Sequence, residues 1–111
     1  MTGPGDRTQS VFRALADPTR REILAMLVEG PRPIGDIAAE FDMTRPAIAK
    51  HLIILRDGDL IRVETRGRER INRLNAAALK SAADWLRYFD QFWDEKLANL
   101  KSAVEKKRGR R

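Results

Sequence analysis

Two hydrophobic periods alternate along this chain, and the points where one gives way to the other mark its elements. Between Ile34 and Leu55 the period is helical twice over. Ile34, Ile37, Ala38 and Phe41 fall at i, i+3, i+4 and i+7, giving one apolar helical face that stops at Asp42. A turn must follow, with Asp42 as the short polar residue expected to accept a positive φ. Thr44 then offers an N-cap hydroxyl, Pro46 stands in the first turn, where its missing N–H is harmless, and Ile48, Leu52 and Leu55 restart the period. Two short helices joined this way make a helix-turn-helix, with Ala38 as the small residue at the crossing and Phe41, Met43 and Ile48 as apolar anchors.

The flanking segments extend the pattern. Thr8 or Ser10 is placed to cap a first helix with Val11, Leu15 and Phe12 on its apolar side, ending at Asp17-Pro18 because a residue before proline leaves the helical region. Asp17 caps a second helix, PTRREILAMLVEG, with Ile23, Leu24, Leu27 and Val28 as its core stripe and Gly30 as its stop. The PRP at 31–33 reads as a rigid connector. Beyond Leu55 the period shortens: LIRVETRGRERINRL, broken at Gly67, predicts a two-stranded hairpin of about five residues per strand. It should lean on the helices through Leu60, Ile61, Val63, Ile71 and Leu74, since a lone hairpin is marginal in water. Asn75 is expected to cap a final helix of about thirty residues and roughly 45 Å, longer than a small body can cover. Its apolar stripe, from Leu79 through Leu86, Phe89, Phe92 or Trp93, Leu97 and Leu100 to Val104, therefore predicts a second copy of the chain as cover. The fold class is mainly α with a small β-hairpin: a winged helix-turn-helix of about five helices and a two-stranded wing, dimeric.

Charge sharpens this picture only when it is localised. Of the net +6 over 111 residues, five basic groups lie in the terminal KKRGRR, and residues 1–105 hold seventeen basic against sixteen acidic groups. Residues 1–43 hold five basic and seven acidic groups, whereas 44–73 hold eight basic and four acidic. Phosphate attraction depends on where charges face, and these face from the second helix of the pair and the hairpin after it. Three segments follow: 1–9 as a flexible N-terminus, 10–105 as a DNA-binding and dimerisation domain, and 106–111 as a basic tail. No apolar run approaches the roughly 18 residues of a membrane span. There is no cysteine, and the single histidine, His51, has no serine or carboxylate at a suggestive spacing, so catalysis is not expected.

With these elements in place, the chain resembles the ArsR/SmtB family of winged-helix transcriptional regulators. Three phrases carry the likeness: VFRALADPTRREIL at 11–24, MTRPAIAKHLIILRDGDLI at 43–61 and RGRERINRL at 66–74. The resemblance implies a bacterial, cytoplasmic homodimer, joined through the first and last helices, that represses transcription from a palindromic operator and is released by an inducer. Metal-responsive members carry a cysteine pair near the start of the third helix; here Pro33 and Gly35 stand there, and neither can ligate. The other family site uses Asp and His pairs along the terminal helix, and His51 is not on that helix, so no metal or cofactor is expected.

The DNA-binding residues expected are Thr44, Arg45, Pro46, Ala47, Lys50 and His51 on the recognition helix and Arg66, Arg68 and Arg70 on the wing. Arg45 suits either a guanine edge or a phosphate, and Lys50 a phosphate. His51 reads as a packed helix residue or phosphate donor. Arg20 and Arg21 suit phosphates or surface pairing with Glu22 or Glu29. The dimer interface is expected from Val11, Leu15, Trp85, Phe89, Phe92, Trp93, Leu97 and Leu100, with an inducer pocket between the terminal helices as the alternative use of the aromatics. The alternative function is a nonspecific DNA-binding or architectural protein regulated by a protein partner.

Overall fold

The computed structural model describes residues 4–109, and side chains from 7 to 107. Helix α1 spans Pro4–Leu15 and α2 Pro18–Glu29; a two-residue strand β1, Arg32–Pro33, leads into α3, Ile34–Glu40, and α4, Arg45–Asp57. Strands β2, Ile61–Arg66, and β3, Glu69–Leu74, precede a 3-10 turn at Ala76–Ala78, then α5, Leu79–Tyr88, and α6, Asp90–Gly109. The α1 helix thus starts ahead of Thr8 and Ser10, the caps expected for it. Residues 1–3 lie outside the described residues, as do 110–111 of the basic tail.

The core forms where the helical stripes meet the root of the hairpin. Ile23, Ile37, Ile48, Leu55, Leu60 and Ile61 are all at most 1% exposed, so each helix from α2 to α4 contributes to one cluster with β2. Val11 and Ala14 close it from α1, and Ala82 closes it from α5. Val28, expected in the stripe, is 71% exposed. It lies about 140° round the helix from Ile23, past Leu24, while half-buried Met26 completes the stripe on the other side.

Local chemistry sets the helix ends. The Asp17 carboxylate accepts the Arg20 backbone N–H at 3.1 Å, and that bond, opposed by desolvation and assisted by the charges of His51 and Arg20, holds its pKa below the usual value. Thr44 Oγ1 accepts the Ala47 N–H at 3.3 Å, so the hydroxyl caps α4. Thr44→Ala should therefore lower stability by about 1 kcal/mol in urea unfolding; a midpoint unchanged from wild type would show that Pro46 alone fixes the start of the helix.

Three connections differ from expectation. The α3–α4 turn needs no left-handed residue at Asp42, because Phe41 leaves α3 in an extended conformation, φ −112° and ψ 149°. Among the described non-glycine residues only Asp59 has a positive φ, 58°, in the turn from α4 to the wing. Asn75 clasps that turn, donating from Nδ2 to the Asp59 carbonyl at 2.8 Å, rather than capping the terminal helix. Thirdly, the terminal helix is not continuous: at Phe89, φ −86° and ψ −7°, the N–H turns back to Leu86 and Arg87 and separates α5 from α6. A one-residue tightening needs neither Gly nor Pro, and so leaves no breaker in the sequence.

The sheet has three strands in the order β1-β3-β2, not two. Arg32 pairs with Asn72 and Pro33 with Ile71, so the PRP connector is an edge strand, where a missing proline N–H is tolerated. Asn72, 5% exposed, secures this edge by donating from Nδ2 to the Arg32 carbonyl at 3.2 Å. Opposite, β2 pairs with β3 from Ile61↔Leu74 to Arg66↔Glu69, and Gly67, φ 60°, takes the first place of the two-residue turn, as a type II′ hairpin requires.

Throughout α6, from Asp90 to Lys107, every side chain is exposed. The Cα radius of gyration is accordingly 19.9 Å, against about 13 Å for a compact chain of this length. The helix projects from the body along a longest dimension of 73 Å.

Candidate nucleic-acid interface

Buried Ile48, Leu52 and Leu55 fix which way α4 faces. Its outward side then carries Arg45, Pro46, Lys50, Ile53 and Arg56, all exposed, with half-buried Ala49 between them and the wing. Half-buried Ala47 and His51 fall on the opposite flank, toward α1 and α2.

That flank is a polar corner. Arg20 donates from Nε to the Ala14 carbonyl at 2.8 Å and from Nη2 to the Arg13 carbonyl at 2.9 Å, and Arg21 Nη1 reaches the Leu15 carbonyl at 2.7 Å. Both arginines thus bind the open carbonyl end of α1, and among the described residues neither makes the expected pair with Glu22 or Glu29. Arg20 Nη1 also stands 3.4 Å from His51 Nδ1, with the Asp17 carboxylate 3.8 Å from the same nitrogen.

Arg45 lies over the start of α3. A methyl group added at Gly35 would fall 2.6 Å from its Nη2, so the guanidinium rests where any larger residue would put a side chain. To reach outward it must rotate off Gly35, which a flexible exposed side chain can do.

The wing presents two faces. Arg62, Glu64 and Arg66 share one with Ile71 and Arg73; Val63 and Thr65 share the other with Arg70 and Asn72. On the first, Arg73 grips Glu64 with two bonds, 2.9 and 3.3 Å, and Arg66 stands 3.6 Å from the same carboxylate. The Arg73 hydrogen bond, aided by its charge and that of Arg66, lowers the Glu64 pKa against a smaller desolvation effect. On the second, Arg70 faces α4 across a groove of about 230 Å³ lined by Ala49, Ile53, Arg56, Val63 and Asn72. Among the described residues Lys50, Arg56, Arg68 and Arg70 have no carboxylate within ion-pair distance. Arg56 and Ile53 were missed by sequence reasoning; the signal was available, since Pro46, Ala49, Lys50 and Ile53 repeat at i, i+3, i+4 and i+7.

The expected interface residues divide. Val11 is 2% exposed and lies inside the core of its own chain, which removes it from any surface offered to a partner. Leu15 is half-buried. Trp85, Phe92, Trp93, Leu97 and Leu100 are each more than half exposed. Phe12 of α1 meets Trp85 edge-on at 5.4 Å, Trp85 meets Phe89 at 4.8 Å, and Phe89 lies 6.1 Å from Phe92, so the aromatics form one ribbon along α5 into α6. Among the described residues no group of three His, Cys, Asp or Glu gathers as a metal site, and no helix is long and apolar enough to cross a membrane.

Comparison with known proteins matches this geometry. A helix-turn-helix domain model covers residues 15–64. The transcriptional repressor SdpR of Bacillus subtilis is 38% identical over 80 residues, 72% of this chain and 89% of that protein. The solved structure of an ArsR-like transcriptional regulator from Rhodococcus sp. RHA1 superposes with a TM-score of 0.73 at 36% identity, covering 91% of this chain and 95% of that one. This chain belongs to the ArsR family. As an ArsR-family winged helix-turn-helix protein it is a DNA-binding transcriptional regulator and not an enzyme. A homodimeric winged helix-turn-helix DNA-binding domain from Mycobacterium bovis, described as a possible ArsR-family regulator, has the same fold, with a TM-score of 0.61 at 26% identity over 85% of this chain and 84% of that one.

Proposed function

We propose that this regulator is a cytoplasmic bacterial repressor that binds a two-fold symmetric operator as a homodimer, one α4 helix in the major groove of each half-site. The observation that carries this reading is the gathering of Lys50, Arg56, Arg68 and Arg70, without carboxylate partners among the described residues, around the outward side of α4 and the wing. Lys50 contacts phosphate; Arg45, rotated off Gly35, reaches a guanine edge or a phosphate. Pro46 shapes the entry of the helix beside them. Thr44, Ala47 and His51 flank this face, with His51 a phosphate donor through Nε2. Arg66, Arg68 and Arg70 approach the backbone or the minor groove. Residues 10–105 form the working unit, with 106–111 as a basic tail.

The dimer is proposed through Leu15 and the exposed α5–α6 face. Trp93, Leu97, Leu100 and Val104 are spaced four, three and four apart, a coiled-coil seam. They are also symmetric about the midpoint between Ala98 and Asn99. Antiparallel pairing of two α6 helices therefore sets Trp93 opposite Val104, Leu97 opposite Leu100 and Asp90 opposite Lys107, with Asp94 within a turn of Lys101 of the second copy. Parallel pairing would set Asp90 on Asp90, Lys107 on Lys107 and Lys96 near Lys101, so charge selects the antiparallel form. The homodimeric Mycobacterium bovis domain supports a dimer of this fold.

The test is fluorescence anisotropy with an operator selected from random DNA and a scrambled duplex at physiological salt. The operator should bind ~10³-fold tighter or more; equal affinities would leave the nonspecific architectural reading. Release is assigned to a small-molecule inducer, and a metabolite screen that leaves the operator complex unchanged would favour a protein partner instead.

A further inference from the structure

We propose that Ile53, with Ala49 beside it, reads the 5-methyl group of a thymine in each half-site. The inference rests on the DNA-binding face assigned above and adds to it a specificity-determining contact. In α4, Ile48, Leu52 and Leu55 are 8% exposed or less, whereas Ile53 is 49% exposed. No helix packs over it; its neighbours across the groove are Val63 and the side chain of Arg70. About half of the side chain is buried, and the other half is left open on the outward face that also carries Lys50 and Arg56.

The surroundings state what that partner carries. Lys50 lies one turn before Ile53, Arg56 one turn after it, and Arg70 across the groove, all exposed and without a carboxylate partner among the described residues. An apolar protein helix would have to bury or skirt these three cations, whereas a duplex offers each a phosphate. The i, i+3, i+4, i+7 spacing of Pro46, Ala49, Lys50 and Ile53 is the spacing with which a helix in the major groove presents side chains to successive base edges. The only apolar group on those edges is the thymine methyl, and small or branched apolar side chains are its usual partners. The groove of about 230 Å³ between α4 and the wing, which Ile53 helps to line, is too small for a further helix.

The experiment replaces each thymine of the selected operator in turn by deoxyuridine, which removes the methyl group and leaves every hydrogen-bonding atom. Wild-type protein should lose about fourfold in affinity at one position per half-site, the effect of losing one buried carbon, and about sixteenfold when both half-sites are changed. Ile53→Ala, verified as folded by circular dichroism, should bind the thymine operator more weakly than wild type and bind the deoxyuridine operator no more weakly than the thymine one. Full discrimination against scrambled DNA with no deoxyuridine-sensitive position overturns this inference alone, as does an Ile53→Ala protein that keeps the wild-type sensitivity. Failure to discriminate operator from scrambled DNA overturns the operator reading, and this inference with it.

Discussion

Aspartate at both Leu97 and Leu100 converts the protein into monomers and removes most of its operator affinity. The two leucines are 58% and 62% exposed in a helix whose side chains are all exposed from Asp90 to Lys107, so the substitutions remove nothing from the folded core. In the antiparallel pair they face each other across the symmetry centre, where four new carboxylates would meet in a space that has lost its apolar filling. Light scattering should then report 12.7 kDa in place of twice that mass. Operator affinity should fall by about a hundredfold or more, because the second half-site is no longer bound at the high effective concentration that linkage provides. A variant that remains dimeric would move the interface away from α6. Orientation is tested separately: Asp94→Lys should weaken the dimer, and Lys101→Asp in the same chain should restore it, an exchange that only an antiparallel pair rewards.

Removing the buried side chain behind the reading face gives the other large effect. Ile48 is 0% exposed, on the inner side of α4 between the outward residues Ala49 and Lys50 and the core of α2 and α3. Ile48→Ala should lower stability by about 2–5 kcal/mol, since the cavity adds to the lost transfer energy. Against a total of about 5–15 kcal/mol for a domain, this leaves a protein close to unfolding at growth temperature. Urea denaturation of wild type and variant measures the difference. A change below about 1 kcal/mol would mean that the core collapses around the gap and that α4 is anchored by Leu52 and Leu55 alone.

The parts of the fold that were legible in the sequence are those written in repeating side chains. Ile34 to Leu55 gives both helices of the motif because their apolar faces are regular and Thr44 and Pro46 punctuate them; Gly67 gives the hairpin because its turn requires a positive φ. What stayed hidden depends on backbone or on distant partners. Pairing of Arg32 and Pro33 with β3 is made by main-chain groups and by Asn72, forty residues away. The break at Phe89 is a change of a few tens of degrees in one residue. Arg20 and Arg21 look like surface charges until the carbonyl end of α1 is placed beside them. The candidate site was half legible for the same reason. Periodicity places Lys50 outward, but whether Ile53 belongs to the core or to the surface depends on how closely the wing approaches α4.

The polar corner at Arg20 has a consequence for the length of the DNA site. One guanidinium holds two carbonyls at the end of α1 and stands against the imidazole of α4. The same α1 carries Phe12 onto the aromatic ribbon through Trp85. In the proposed dimer, the orientation of the two reading helices along a duplex would be inherited from the angle at which two copies join, transmitted through this corner, and the number of base pairs between half-sites would depend on the Arg13–Arg20 bend as much as on the residues proposed to touch bases.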